Sequence, residues 1–310
     1  MKNLLHIFIL LITNIAFCQI NYCDNCGIFD NDNPETYKKI SKIEVKKYKG
    51  SPIFHELNDE SKTELLEETI NVNYNSFGKV EEFISTEWLS GFESTISSYK
   101  LTYDGEEQVI SIINQSGPSE HKETFKYDKV KNEAINYVFN YDNVTVDRII
   151  KYKFNENGNV LNRKEYFENG TLYKDDSFKY DNKGNEIFSD YYGVKTSTTI
   201  IYNNSGKIVS KHSTNNYKKG GETKFKYNQQ GQKIEEERKN LNGGLISKII
   251  YTYDNNLMTK QTEIYYSKGK ESSKEVKSYF FNGQGNWIRE ETTRNDILIS
   301  ICYREINYSN

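Results

Sequence analysis

The chain has 310 residues, 35% of them apolar and 27% charged, with a formal net charge of -3 and a mean hydropathy of -0.81. So polar a chain is often disordered, yet 25 Tyr, 16 Phe and 2 Trp raise the aromatic content to 14%, and disordered chains are poor in aromatics. A core of buried aliphatic helices, a multi-span membrane protein and a Pro/Gly-rich disordered tail are excluded, Pro totalling 3.

Residues 1–18 carry Lys2, an apolar run from Leu4 to Phe17 broken by His6, Thr13 and Asn14, and small residues at Ala16 and Cys18. This is the layout of a signal peptide cleaved before Gln19. An uncleaved anchor would need ~20 apolar residues. A lipoprotein acylated at Cys18 ranks second, because Phe17 stands where a small residue is wanted. The chain is therefore expected to be exported to the periplasm, the outer surface or the medium, with no transmembrane span after signal cleavage. Near-neutrality excludes nucleic acid as a partner, since such proteins concentrate basic charge on one face.

Cys23-Asp24-Asn25-Cys26 forms a CxxC that can be a redox pair, half a zinc site or a small disulfide loop. Zinc needs a second ligand pair, and none recurs at suitable spacing. In an oxidising compartment the Cys23–Cys26 disulfide is expected. Cys302, in an apolar context, reads as a buried thiol.

Residues 19–69 are irregular: Ile40, Ile43, Val45 and Tyr48 partly alternate, and Ser61 to Glu68 suits a strand or a short helix. This stretch is read as an N-terminal cap over the first open sheet edge. Residues 70–310 are read as a repeat array. An apolar residue, any residue, Tyr or Phe, then Asp or Asn recurs with its aromatic anchor at Tyr74, Tyr103, Tyr127, Phe154, Tyr180, Tyr202, Tyr227, Tyr253 and Phe281, in steps of 22 to 29 residues. Gly lies four residues beyond six of these anchors, at Gly78, Gly158, Gly184, Gly206, Gly231 and Gly285.

Spacing of two puts each aromatic pair on one strand face. The Asp or Asn starts a turn, and the Gly supplies the positive φ that closes it. Asn169-Gly170, Gly220-Gly221 and Gly243-Gly244 mark the opposite turns. The expected fold is all-β: an elongated antiparallel meander of about nine hairpin repeats, roughly eighteen strands, forming an open, twisted or spiralling sheet. Tyrosine can hold such a sheet together, burying its ring while its hydroxyl stays at the wet margin. Ile297 to Tyr308 reads as one or two closing strands.

The unit Phe178-Lys179-Tyr180-Asp181-Asn182-Lys183-Gly184-Asn185, echoed from Phe154 to Asn159 and from Phe281 to Trp287, resembles the YD repeat of the Rhs family over about residues 70 to 308. Larger Rhs proteins wrap such repeats into a shell around a C-terminal toxin, and the resemblance implies carbohydrate binding. Only 29 residues follow Phe281, too few for a toxin, and no proline-containing core motif is present. The chain looks more like the short, signal-bearing YD-repeat proteins of the Bacteroidetes type, which lack a toxin domain.

No site motif for metal, cofactor or nucleophile emerges. His55, His121 and His212 stand outside any metal spacing, and carboxylate pairs such as Asp175 with Asp176, or Glu235 to Glu237, read as solvated faces. The acidic run Asp24, Asp30 and Asp32 lacks the Gly and distal Glu of a calcium loop. Neither metal nor cofactor is expected. Candidate ligand contacts are exposed aromatics: Trp88, Tyr191, Tyr192, Tyr265, Tyr266 and Trp287. In a regular strand, Tyr191 and Tyr192, like Tyr265 and Tyr266, point to opposite faces. The expected function is that of an exported, non-enzymatic repeat scaffold binding a protein or a glycan at the envelope or outside the cell. A lectin-like carbohydrate-binding module is the alternative, and a hydrolase ranks third.

Overall fold

The computed structural model describes residues 40–89, 92–106 and 108–308. The expected signal peptide, Cys18 and the Cys23–Cys26 pair lie outside these residues. The strands in chain order are β1 (Ile40–Lys49), β2 (Leu66–Tyr74), β3 (Val80–Leu89), β4 (Phe92–Tyr103), β5 (Val109–Ser116), β6 (Ser119–Asp128), β7 (Glu133–Phe139), β8 (Val146–Phe154), β9 (Val160–Phe167), β10 (Leu172–Tyr180), β11 (Glu186–Tyr191), β12 (Val194–Tyr202), β13 (Ile208–Asn215), β14 (Gly220–Tyr227), β15 (Lys233–Asn240), β16 (Leu245–Asp254), β17 (Leu257–Ser267), β18 (Lys270–Phe281), β19 (Trp287–Arg294) and β20 (Ile297–Tyr308). A short helix, α1 (Asp59–Thr63), follows a 3-10 turn at Phe54–Glu56 between β1 and β2.

Every strand pairs antiparallel with the next, and the ring then closes. β1 pairs with β2 on one side, Val45 opposite Ile70, and with β20 on the other, Val45 opposite Arg304. The molecule is thus a closed 20-stranded antiparallel barrel, which overturns the expected open or spiralling sheet. Each of the nine anchors is the last or next-to-last residue of its strand, so the nine hairpins from β2–β3 to β18–β19 turn on one rim. Ile306-Asn307-Tyr308 at the end of β20 repeats the apolar–x–aromatic part of the anchor, followed by Ser309 in place of Asp or Asn, and β20 pairs with β1. The first and last of the described strands therefore complete the ring. Their pairing leaves no edge strand exposed.

The repeat bends as well as extends the sheet. The register slips just before eight of the nine anchors, at Asn73/Tyr74, Thr102/Tyr103, Lys153/Phe154, Lys179/Tyr180, Ile201/Tyr202, Lys226/Tyr227, Thr252/Tyr253 and Phe280/Phe281. A bulge bends its strand and adds right-handed twist, and further slips at the opposite rim, as at Glu87/Trp88, Val138/Phe139 and Arg238/Lys239, join these eight in giving the curvature that closure requires.

Turn chemistry follows the motif. Asn155 Oδ1 accepts from the N–H groups of Asn157 and Asn159, at 3.0 and 2.9 Å, while Gly158 sits at φ 82°. Asp181 serves Lys183 and Asn185 in the same way, beside Gly184 at φ 81°. The anchor hydroxyl then reaches the preceding repeat. Tyr127 donates to the Val109 carbonyl at 2.6 Å, Tyr180 to Val160 at 2.9 Å, Tyr227 to Ile208 at 2.8 Å and Tyr253 to Lys233 at 2.8 Å. At the seam Asn286 Nδ2 donates to Tyr308 Oη at 2.8 Å, the counterpart of Asn185 donating to Tyr202 at 2.7 Å.

Directly paired residues share a face, so burial separates lumen from outer wall. Ile43, Val45, Val72, Leu101, Ile112, Phe125, Tyr279, Trp287 and Cys302 form one apolar cluster along the lumenal side of β1–β6 and β18–β20. A second cluster, Ala134, Ile150, Tyr152 and Phe154, continues it across β7 and β8. From β9 to β17 the lumenal positions are mostly polar. On the outer wall the β1–β2 connection lays Phe54, fully buried, against Tyr48 and Tyr303.

Candidate functional site

Two clusters stand out from the repeat, one in the lumen and one on the wall behind it. The lumenal cluster is a ladder of alternating charges on β8–β10. Arg148 Nη1 lies 2.6 Å from Glu165 Oε1, Arg163 Nη2 3.0 Å from Glu165 Oε2, Arg163 Nη1 3.2 Å from Asp176 Oδ2, and Lys174 Nζ 3.1 Å from Asp176 Oδ2. Glu165 is 1% exposed and Asp176 0%. Charges removed from water this far must be paired, since each costs several kcal/mol to desolvate. Here each carboxylate takes two cations. Alongside, burial pushes the Glu123 carboxyl up, against the pull of the Asn136 amide and of Arg148 and Arg163.

The β11–β12 hairpin closes over this ladder. Tyr192 adopts φ 53° and Gly193 φ 74°, which carries both tyrosine rings to the same side of the turn. The Lys174 ammonium sits 3.9 Å from the Tyr191 ring centre and 3.2 Å from that of Tyr192, and the Tyr192 N–H donates to Asp176 Oδ1 at 3.1 Å. The two rings meet edge to face at 4.8 Å. The expectation that they point to opposite faces assumes a regular strand, and the left-handed Tyr192 breaks that regularity. Both rings keep an exposed side, at 48% and 59%.

The outer wall of β6–β11 carries the second cluster. Lys122 lies over the Phe139 ring at 5.4 Å, Lys126 over Tyr137 at 5.3 Å, Lys151 over Tyr166 at 5.1 Å and Lys179 over Phe188 at 5.4 Å. Six adjacent strands at ~4.8 Å spacing make this strip roughly 24 Å wide. Cation–π contacts of this kind are worth about 0.5–1 kcal/mol where exposed. They leave the ammonium groups unneutralised, in contrast to Lys164, which pairs with Asp175 at 3.2 Å in the same region.

Elsewhere the outer wall is laced with ion pairs. Lys226 and Lys248 both grip Glu235, at 2.6 and 2.8 Å, and hold its carboxyl below the usual carboxylate range. Lys46 and Lys42 flank Glu44 at 3.1 and 3.5 Å.

The remaining aromatic candidates are dispersed. Trp287 is 0% exposed, in the lumen beneath the Arg304 guanidinium, and presents no free ring face. Trp88 is half-buried on the outer wall, its indole N–H donating to Thr69 Oγ1 at 3.2 Å. Tyr265 is 37% exposed on the lumenal side, with its hydroxyl pushed up to about 12 by burial and by Glu263; Tyr266 is half-buried. The structure brings together Tyr191 and Tyr192 alone. The reading of Asp175 and Asp176 as one solvated face is corrected: Asp175 is exposed on the wall, while Asp176 is fully buried. Likewise Glu235 faces outward, whereas Glu236 is 6% exposed in the lumen with Lys233 at 3.0 Å and Arg238 at 2.8 Å. Strand alternation carried the signal for these lumenal charges, once Phe178 and Tyr180 are taken as facing inward.

No protein-family model matches the chain, and no curated protein does. Among solved structures it is similar to the Tc holotoxin pore of Photorhabdus luminescens, at 11% identity and a TM-score of 0.33, over 73% of this chain and 14% of that one. It is also similar to porin-like proteins from Bacteroides uniformis, at 10% identity and TM-score 0.35 over 86% and 96% of the two chains, and from Bacteroides vulgatus, at 14% and 0.31 over 72% and 96%. The resemblance to YD-repeat proteins is carried by the motif alone, and none of these structures is similar enough to lend this chain a function.

Proposed function

We propose that the protein is an exported, non-enzymatic barrel scaffold that holds a protein or a glycan at the cell envelope or outside the cell, through the lysine–aromatic strip on β6–β11. The observation that carries this reading is the set of lysines 122, 126, 151 and 179 poised over rings and left without acid partners among the described residues. Rings supply flat apolar area and the ammonium groups supply charge, a combination suited to an acidic chain laid across the strands.

The same wall argues for water on the outside of the barrel. A lipid-facing barrel needs an apolar band ~25 Å tall, and a lysine at the bilayer midplane costs about 2–4 kcal/mol. Lys151, Lys164, Lys179, Lys226 and Lys248 all stand within strands on the outer face. Lys151, Lys164 and Lys248, well inside their strands, would together cost on the order of 6–12 kcal/mol in lipid, while Lys179 and Lys226, one residue before the rim, would add little. No helix among the described residues is long and apolar enough to cross a membrane.

The test is a glycan array run beside a pull-down from envelope and culture fractions, using residues 19–310. Retention on acidic glycans or on an acidic protein is expected, and it is lost when Lys122, Lys151 and Lys179 are changed together to Glu. Binding to neither, or binding indifferent to those changes, refutes the proposal. Binding to neutral sugars that survives these changes supports the lectin-like alternative instead.

A further inference from the structure

At the rim opposite the anchor turns, the lumen opens into a separate pocket of about 220 Å³, lined by Lys47, Glu67, Glu275, Lys277, Thr292, Arg294, Ile299 and Ser300. Pairing places its floor on the lumenal face: Lys47 lies opposite Cys302, and Thr292 opposite both Lys277 and Ser300. Three cations face two carboxylates. One of these, Glu275, is taken by Arg294 at 3.0 Å, and Glu67 stands exposed at the mouth. Beyond the lining residues, Glu290 is the one acid within ion-pair distance of Lys277 among the described residues, at a long 3.8 Å. Lys47 meets no acid within ion-pair distance among the described residues. Ile299 is the apolar part of the lining; the Ser300 and Thr292 hydroxyls belong to the rest, Thr292 Oγ1 donating to Glu290 Oε1 at 3.2 Å and keeping its lone pairs to accept.

We propose that this pocket binds a small hydroxylated carboxylate of single-sugar-acid size, its carboxylate held between Lys47 and Lys277 and its hydroxyls by Thr292, Ser300 and Glu275. The volume is below the ~300–1,000 Å³ of pockets for drug-sized ligands, and the polar lining favours hydroxyls over an apolar body. Two ammonium groups without a full complement of acid partners supply the attraction, charge-assisted hydrogen bonds being roughly twice as strong as neutral ones. The site lies on different strands from the wall strip, so it stands or falls independently of the proposed function.

The experiment is calorimetric titration of residues 19–310 with glucuronate at low salt, with glucose as the uncharged control and inorganic phosphate as the anion control. Glucuronate is expected to bind, glucose not to bind detectably, and phosphate to bind at least tenfold more weakly than glucuronate. Lys47→Met breaks no ion pair and should weaken glucuronate at least tenfold with an unchanged melting temperature; Lys47→Met with Lys277→Met should abolish binding. Absence of glucuronate binding at millimolar concentration overturns the proposal. So does affinity unchanged in Lys47→Met, or phosphate binding as tightly as the sugar acid.

Discussion

Replacing Asp176 with Asn tests whether the lumenal ladder holds the barrel together. The substitution keeps an oxygen to accept the Tyr192 N–H but removes the charge that Lys174 and Arg163 share. Arg163 retains Glu165, whereas Lys174, whose side chain is 3% exposed, is left with two tyrosine rings and no acid. Breaking a buried pair from one side costs about 3–5 kcal/mol. A barrel of this size unfolds with an entropy of roughly 0.6 kcal/mol per degree, so the melting temperature should fall by about 5–8 °C, read by calorimetry. Lys164→Met, which removes the wall pair with Asp175, should cost under ~1 kcal/mol and shift melting by no more than ~2 °C. Removing both charges with Lys174→Met and Asp176→Leu should recover most of the loss, because no buried ion is then left unpaired. If Asp176→Asn and Lys164→Met melt alike, the ladder is not a buried ion network and the reasoning fails.

The turn chemistry can be tested at one hairpin: Gly285→Ala, at φ 81°, should cost about 1–2 kcal/mol in denaturant unfolding, whereas Gly283→Ala, with open space around its Cβ, should be silent. Tyr127→Phe removes the hydroxyl that donates to the Val109 carbonyl and should destabilise by about 1 kcal/mol; an unchanged midpoint would deny the inter-repeat latch any energetic role. Glu123 has a folded pKa above its unfolded value, so its contribution to stability is present in full below 4.5 and is lost as pH rises through the folded value. Glu123→Gln should therefore gain relative stability at pH 7 over pH 4, and melting curves showing the opposite trend would contradict the burial argument.

The pattern of an aromatic anchor, Asx and Gly marked the hairpins and their turn chemistry because those depend on residues within five positions of one another. The bulges before eight of the anchors left no comparable mark: Thr102 precedes Tyr103 and Lys179 precedes Tyr180 with nothing to distinguish them from ordinary strand residues. Curvature was therefore illegible, and with it the distinction between an open sheet and a ring. Tyr191 and Tyr192 were recognisable as candidates, but Lys174 and Asp176 were not, since their importance arises only when a turn folds two rings onto a neighbouring strand.

By itself the sequence determined that the chain is all-β and built of aromatic hairpins, because period-two alternation and turn residues act locally. Closure was decided by tertiary structure alone. It depends on twist summed over twenty strands and on Val45 meeting Arg304, two residues whose sequence separation no local rule can bridge. That closure also chose which alternating face became lumen, and so which lysines are buried with acids and which face water over aromatic rings.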